Sequence, residues 1–346
     1  MRYFALPAPC RTAAAFLLVL IPAIAVAAGD QPKAQLADVA GSAASASNAA
    51  DGRIVATVAV GGGPYGVAVS SDGKKAYVAN QVSNTVSAID TVTNAVVATI
   101  EVPGAPVGVA ITPDGAKAYV TSILANTITV IDTASNKVTA TIPFASNPIG
   151  VAANPEGTRA YIANSNADLV MAIDTATNTV KAMIEIDGGP VGVAIAPGGD
   201  KAYVASAKSN AVSVVDTATA KVTATIKVGD APHGMGVSPD GGKLYVANTS
   251  SNSVSVIDTA ANAVAATIAV GTAPIGLAVA PDGGAVYVTN GGSDGVSVID
   301  TATNAVTATI KVGSGASGVA ISRDGAKLYV ANSSANTVSV IDAAAR

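Results

Sequence analysis

Seven tandem segments of 42 residues, each holding four short β-type runs, specify an all-β chain folded as a seven-bladed β-propeller with four antiparallel strands per blade. Two landmarks keep that period without insertion or deletion. One is an acidic phrase ending on Asp90, Asp132, Asp174, Asp216, Asp258, Asp300 and Asp342. The other is a tyrosine, at positions 77, 119, 161, 203, 245, 287 and 329. Residues 52–345 number 294, which is seven periods of 42 with nothing left over.

The second full repeat shows the elements in order. Its β-type runs are 106–111, 116–120, 126–131 and 138–142, rich in Val, Ile, Thr and Tyr and bounded by Gly, Pro, Asn or Asp. Such side chains fit a pleated surface, and the flanking residues make tight turns. Four strands of about 5–6 residues leave connections of roughly 4–5 residues, the length of antiparallel hairpins. After residue 51 there is no useful helical apolar stripe, and a β-solenoid coil would need a shorter period. Small side chains on both faces of most strands, without apolar–polar alternation, suit blades packed on both sides.

Ring closure is written at the two ends. Residues 53–60 match a fourth strand such as 96–102, and the chain stops just after a third strand, at Asp342–Arg346. The N-terminal strand is therefore expected to complete the seventh blade and leave no gap.

Upstream, residues 1–28 read as a secretory signal peptide. Arg2 and Arg11 precede an apolar run, and Ala25-Val26-Ala27 has the small-residue spacing of a cleavage site. A retained anchor helix is the alternative; export to the periplasm or the medium is the expectation, with no membrane-spanning segment after processing. Residues 29–51 read as an Ala/Ser-rich flexible linker, and 52–345 as the propeller domain. The only cysteine, Cys10, falls in the signal, so the processed chain would have no disulfide or thiol chemistry.

Removing Arg2 and Arg11 leaves 17 basic residues against 23 acidic ones, a net charge of −6. There is no Lys/Arg cluster and no Trp, so nucleic acid is not an expected partner.

The run containing Gly66-Val67-Ala68-Val69, Asp72-Gly73, Ala76-Tyr77-Val78-Ala79-Asn80 and Asn84 to Thr91 closely resembles the YVTN-type propeller repeat, and Tyr287-Val288-Thr289-Asn290 spells that phrase. The resemblance spans residues 52–345. It implies a seven-bladed propeller of the kind found in exported bacterial proteins and archaeal surface layers. Related propellers include structural proteins, binding proteins and a few enzyme domains, so fold alone does not assign function.

The repeated polar residues read as architecture. Each landmark aspartate precedes a turn whose N–H groups it can cap, and the Asp-Gly pairs at 72, 114, 240, 282 and 324 read as hairpin turns. The tyrosines read as inter-blade packing with bonded hydroxyls, and Asn80 and its equivalents as loop closures.

Function is sought where the repeats disagree. One such series precedes the first strand and rims the channel: Tyr65, Val107, Ile149, Val191, His233, Ile275 and Ser317. The other is the loop between the second and third strands, with Val82 in one blade and Ile123 and Leu124 in the next. Both belong to one face, and Tyr65, Val82, Val107, Ile123, Leu124 and His233 form the candidate binding set there. They are read either as an interaction surface or as a plug in the channel mouth. His233 is the only histidine. As a base it needs a positioned partner, and Asp230 is the nearest acid in sequence. One histidine undersupplies a metal or haem site, so no catalytic residue, metal ligand or cofactor is assigned.

The expected function is a monomeric, exported, non-catalytic propeller that binds a protein or small ligand at the channel-mouth face or acts as a scaffold. The alternatives are a propeller enzyme or electron-transfer partner using the channel near His233, and a structural cell-envelope protein.

Overall fold

The computed structural model describes residues 53–144 and 146–344. The expected signal peptide and linker lie outside the described residues. Seven four-stranded antiparallel sheets stand around a ring. Strand β1 (Ile54–Ala59) comes first, followed by blade 1: β2 (Pro64–Val69), β3 (Lys75–Asn80), β4 (Thr85–Asp90) and β5 (Ala95–Glu101). Blades 2 to 6 repeat it as β6–β9 (106–143), β10–β13 (148–185), β14–β17 (190–227), β18–β21 (232–269) and β22–β25 (274–311). Blade 7 consists of β26 (Ala316–Ile321), β27 (Lys327–Asn332), β28 (Thr337–Asp342) and β1.

The closure expected from the sequence is present. β1 lies antiparallel to β28, with Thr57 opposite Ser339 and Val58 opposite Val338. It even reproduces the irregularity of the other outer strands. Val97 is an extra residue between the pairs Ala88–Ala98 and Ile89–Val96, and Val55 is the extra residue of β1. A bulge of this kind twists an outer edge and makes it a poorer template for further pairing.

Each blade is buried on both sides by its neighbours, which explains the missing alternation. From Ala76 to Asn80, β3 is wholly buried, and so is β4 from Thr85 to Ile89. The core is a set of inter-blade layers: Tyr77, Ala79, Val86 and Ile100 of blade 1 pack against Val109, Val120 and Ile131 of blade 2. All seven ladder tyrosines are at most 2% exposed. The hydroxyls of Tyr77 and Tyr119 donate across the interface to Asn136 and Asn178 Oδ1, both at 2.8 Å, and that of Tyr287 to the Ala343 carbonyl at 3.1 Å. Tyr245 departs from this pattern, its hydroxyl reaching no acceptor among the described residues. No helix among the described residues is long and apolar enough to cross a membrane.

Candidate functional site

One face of the ring carries the connection into each first strand and the loop between the second and third strands. Hydrogen bonds lace the two together. Within blade 1, the amides of Gln81 and Val82 donate to the Gly63 and Gly62 carbonyls at 2.9 and 3.0 Å. Between blades, Asn84 Oδ1 accepts from the Ala105 amide at 2.8 Å, and the motif recurs at Asn126, Asp168, Asn210, Asn252, Asp294 and Asn336. Each of these seven residues has a φ between 50° and 57°, a left-handed conformation that Asn and Asp tolerate well. The period was visible in the sequence; the inter-blade role of this Asn/Asp series was not.

The innermost strands close the channel wall in the same sevenfold way. A methyl group at Gly66 would overlap the carbonyl oxygen of Val107, and Gly108, Gly150, Gly192, Gly234, Gly276 and Gly318 stand likewise against Ile149, Val191, His233, Ile275, Ser317 and Tyr65. The variable rim residues therefore sit where seven backbones approach most closely. Ser317 acts as mortar there: it is 1% exposed and its hydroxyl lies within 3.1–3.2 Å of the Pro64, Tyr65 and Ala331 carbonyls.

Two rim side chains meet across this mouth. Tyr65 of blade 1 places its hydroxyl 3.2 Å from Nε2 of His233 in blade 5, with ring centroids 6.3 Å apart and planes at 63°. Edge-on packing of this kind is favoured between such rings. Burial pushes the His233 imidazole down to about 4, against a weaker opposing effect of a hydrogen bond to the Ile275 backbone. Burial likewise raises the Tyr65 hydroxyl to about 12. Both groups are thus neutral at pH 7. The Tyr65 hydroxyl and Nε2 share one hydrogen bond, whose donor is set by the imidazole tautomer. Asp230, the nearest acid in sequence, is not the partner: its carboxylate accepts from Asn210 Nδ2 at 2.8 Å.

The remaining candidates separate by exposure. Val107 is buried, at 4%, and belongs to the wall rather than to an accessible surface. Ile123 is half-buried. Val82 and Leu124 occupy equivalent loop positions in adjacent blades and project into solvent, at 74% and 76% exposed. Their backbones are held, since the Val82 and Leu124 amides donate to Gly62 and Gly104. The loops 60–63, 81–84, 102–105 and 123–126 carry no charged residue, whereas the same face in blades 3 to 6 carries Asp168, Asp187, Lys208, Asp230 and Asp294.

The opposite face is architectural, as the sequence led one to expect of its aspartates. Asp90 Oδ1 accepts from the amides of Val92 and Thr93 and from the Thr93 hydroxyl at 2.8–3.0 Å, and these bonds hold its carboxyl below the usual range. The next residue, Thr91, donates to the Gly73 carbonyl at 2.5 Å, tying the two turns of the blade together. Its own carbonyl accepts from Lys327 Nζ of blade 7 at 2.6 Å. The same latch joins Lys75 to Thr133 and Lys243 to Thr301. Two concavities of about 280 and 490 Å³ also lie on this face, flanking blade 7, the first lined by Arg53, Ala285 and Asp300 and the second by Asp72, Thr91 and Lys327. Neither is at the mouth where Tyr65 and His233 meet.

With the geometry in view, comparison with known proteins supports the architecture. The chain is a β-propeller. A family model described as YNCE-like beta-propeller matches residues 18–159, which is less than half of the chain. A solved chain of hydrazine synthase from Kuenenia stuttgartiensis is similar at 25% identity and a TM-score of 0.77, over 82% of this chain and 96% of that chain. No curated protein matches this sequence.

Proposed function

We propose that this propeller is an exported binding or scaffold module of the YVTN type, which recognises a partner through the uncharged sector of blades 1 and 2. The observation that carries the reading is the pair Val82 and Leu124. They are two aliphatic side chains on adjacent, hydrogen-bonded loops, each about three-quarters exposed. Burying a Val or Leu side chain contributes about 1.5–3 kcal/mol, so the pair forms a small anchor for an apolar partner surface, with Ile123 beside it. Val92 is equally exposed, at 79%, but stands on the turn of the opposite face, where the neighbouring blades present Ala134 and other small or polar residues. It serves as the control. A pull-down from cell extract compares the parent with a Val82→Ser, Leu124→Ser variant and with Val92→Ser, all melting at the same temperature. Recovery of a partner lost only in the double variant is the expected result. Equal recovery from all three rejects this surface.

A second reading is favoured by one observation, the contact between Tyr65 and His233. A tyrosine bonded to a neutral histidine is a pair able to move a proton, which fits an enzyme or electron-transfer role at the channel mouth. The similar chain from hydrazine synthase lends that reading its precedent. A substrate-dependent or oxidant-dependent change abolished by Tyr65→Phe would favour it over the binding module.

A further inference from the structure

Six of the seven outer strands follow their neighbour through a turn of the same chain, such as 91–94; β1 alone is joined to its blade without one. Three features single out its attachment. The first is the connection that leads away from it. Gly61-Gly62-Gly63 is the only run of three glycines among the seven equivalent connections, which elsewhere read Pro103-Gly104-Ala105, Gly229-Asp230-Ala231 or Gly271-Thr272-Ala273. Packing does not demand all three. A side chain at Gly62 would meet Val82 at 3.5 Å, an ordinary contact, whereas one at Gly61 would overlap Ser83 and Asn80. One at Gly63, φ 63°, would come within 2.7 Å of Val82 Cγ2, although the equivalent Ala105, Ala231 and Ala273 take the same backbone conformation. Three consecutive glycines make this segment the most pliable of the connections.

The second feature is a missing latch. The base that grips the next blade's turn, as Lys75 and Lys243 do, is replaced by Ala285 at the seam between blades 6 and 7. The crevice lined by Arg53, Ala285 and Asp300 opens at that seam. The third is composition: β1 reads Ile-Val-Ala-Thr-Val-Ala and shares with only one other outer strand, β21, the lack of any charge or proline to discourage pairing with another chain.

We propose that β1 is an exchangeable strand, and that the partner it fits is a second copy of this chain. In the exchanged pair each β1 lies against β28 of the other copy in the native register, Thr57 to Ser339 and Ala59 to Thr337, with 60–63 extended as the hinge. All strand contacts are conserved in such a swap, so the balance is set by the hinge and by concentration. The inference stands apart from the binding reading. The swap touches it at one point: extending the hinge releases the bonds from Gln81 and Val82 to Gly63 and Gly62.

The test uses the full chain carrying Cys10→Ser. Chains with Ala59→Cys alone and Thr337→Cys alone, each with its own tag, are co-expressed and oxidised; a chain with both substitutions is the control. Thr57→Cys with Ser339→Cys provides a second pair in case the first bonds poorly. The expected result is a disulfide-linked species of twice the chain mass carrying both tags. Native mass spectrometry of the cysteine-free chain should show a concentration-dependent dimer, lost when β1 is locked to its own β28 in the double variant. Complete internal linkage in the control with no mixed species, or a dimer unchanged by the lock, overturns the proposal.

Discussion

At the scale of single residues, the contact between Tyr65 and His233 is the feature with the sharpest chemical signature. The imidazole titrates near 4 in the folded chain and near 6.5 when unfolded, so the unfolded state binds the proton more readily between those values. Stability is therefore full above pH 6.5 and falls as pH drops from 6.5 to 4, by on the order of 1–3 kcal/mol. Because the chain has one histidine, an untagged sample gives one imidazole resonance, expected to titrate near 4. Replacing His233 by Ile, the residue at the equivalent positions 149 and 275, should flatten that part of the stability profile. Tyr65→Phe should cost about 1 kcal/mol in urea unfolding, the net worth of one partly buried hydrogen bond. A resonance titrating near 6.5 would mean that the ring is solvated rather than packed against Tyr65.

At the scale of elements, two glycines that look alike in the repeat do different work. Gly73 has φ 70° with nothing near its missing Cβ, so Gly73→Ala should cost only the left-handed strain of about 1–2 kcal/mol. Gly234 faces the Ile275 carbonyl of the next inner strand, and Gly234→Ala has to push two blades apart. Its cost should exceed that of Gly73→Ala by about 1–3 kcal/mol, measured by denaturant midpoint at constant slope. Equal losses would mean that the inner strands are less closely set than described. Both positions were legible as repeated glycines, and the strands, turns and closure were legible from period and side-chain type. The pairing of Tyr65 with His233 was not, because 168 residues separate them and only the ring's diameter brings them together. Nor was the difference between buried Val107, at the start of β6, and exposed Leu124, on a loop, since both stand at variable positions of constant spacing in an apolar context.

At the scale of the molecule, repetition builds a ring and departures from repetition decorate it. The Asn/Asp series and the inner glycines recur at every blade, and the Asp-Thr turns and basic latches at most of them, so the blades are held together by a few repeated bonds. β1 then completes the last blade. A chain shortened to begin at Gly61 should lose its single cooperative melting transition or associate through the bare edge of β28. Unchanged melting by a monomer would contradict that role for β1. Against this sevenfold background the sector of blades 1 and 2 is distinguished by two exposed aliphatic side chains on uncharged loops. Photo-crosslinking tests its use most directly. A photoreactive residue is placed at Leu124 or, on the opposite face, at Val92, and the proteins are irradiated in extract of their own cells. The expected result is a discrete adduct from position 124 and none from position 92. Adducts of equal yield from both positions, or from 92 alone, would contradict the assignment of the binding face.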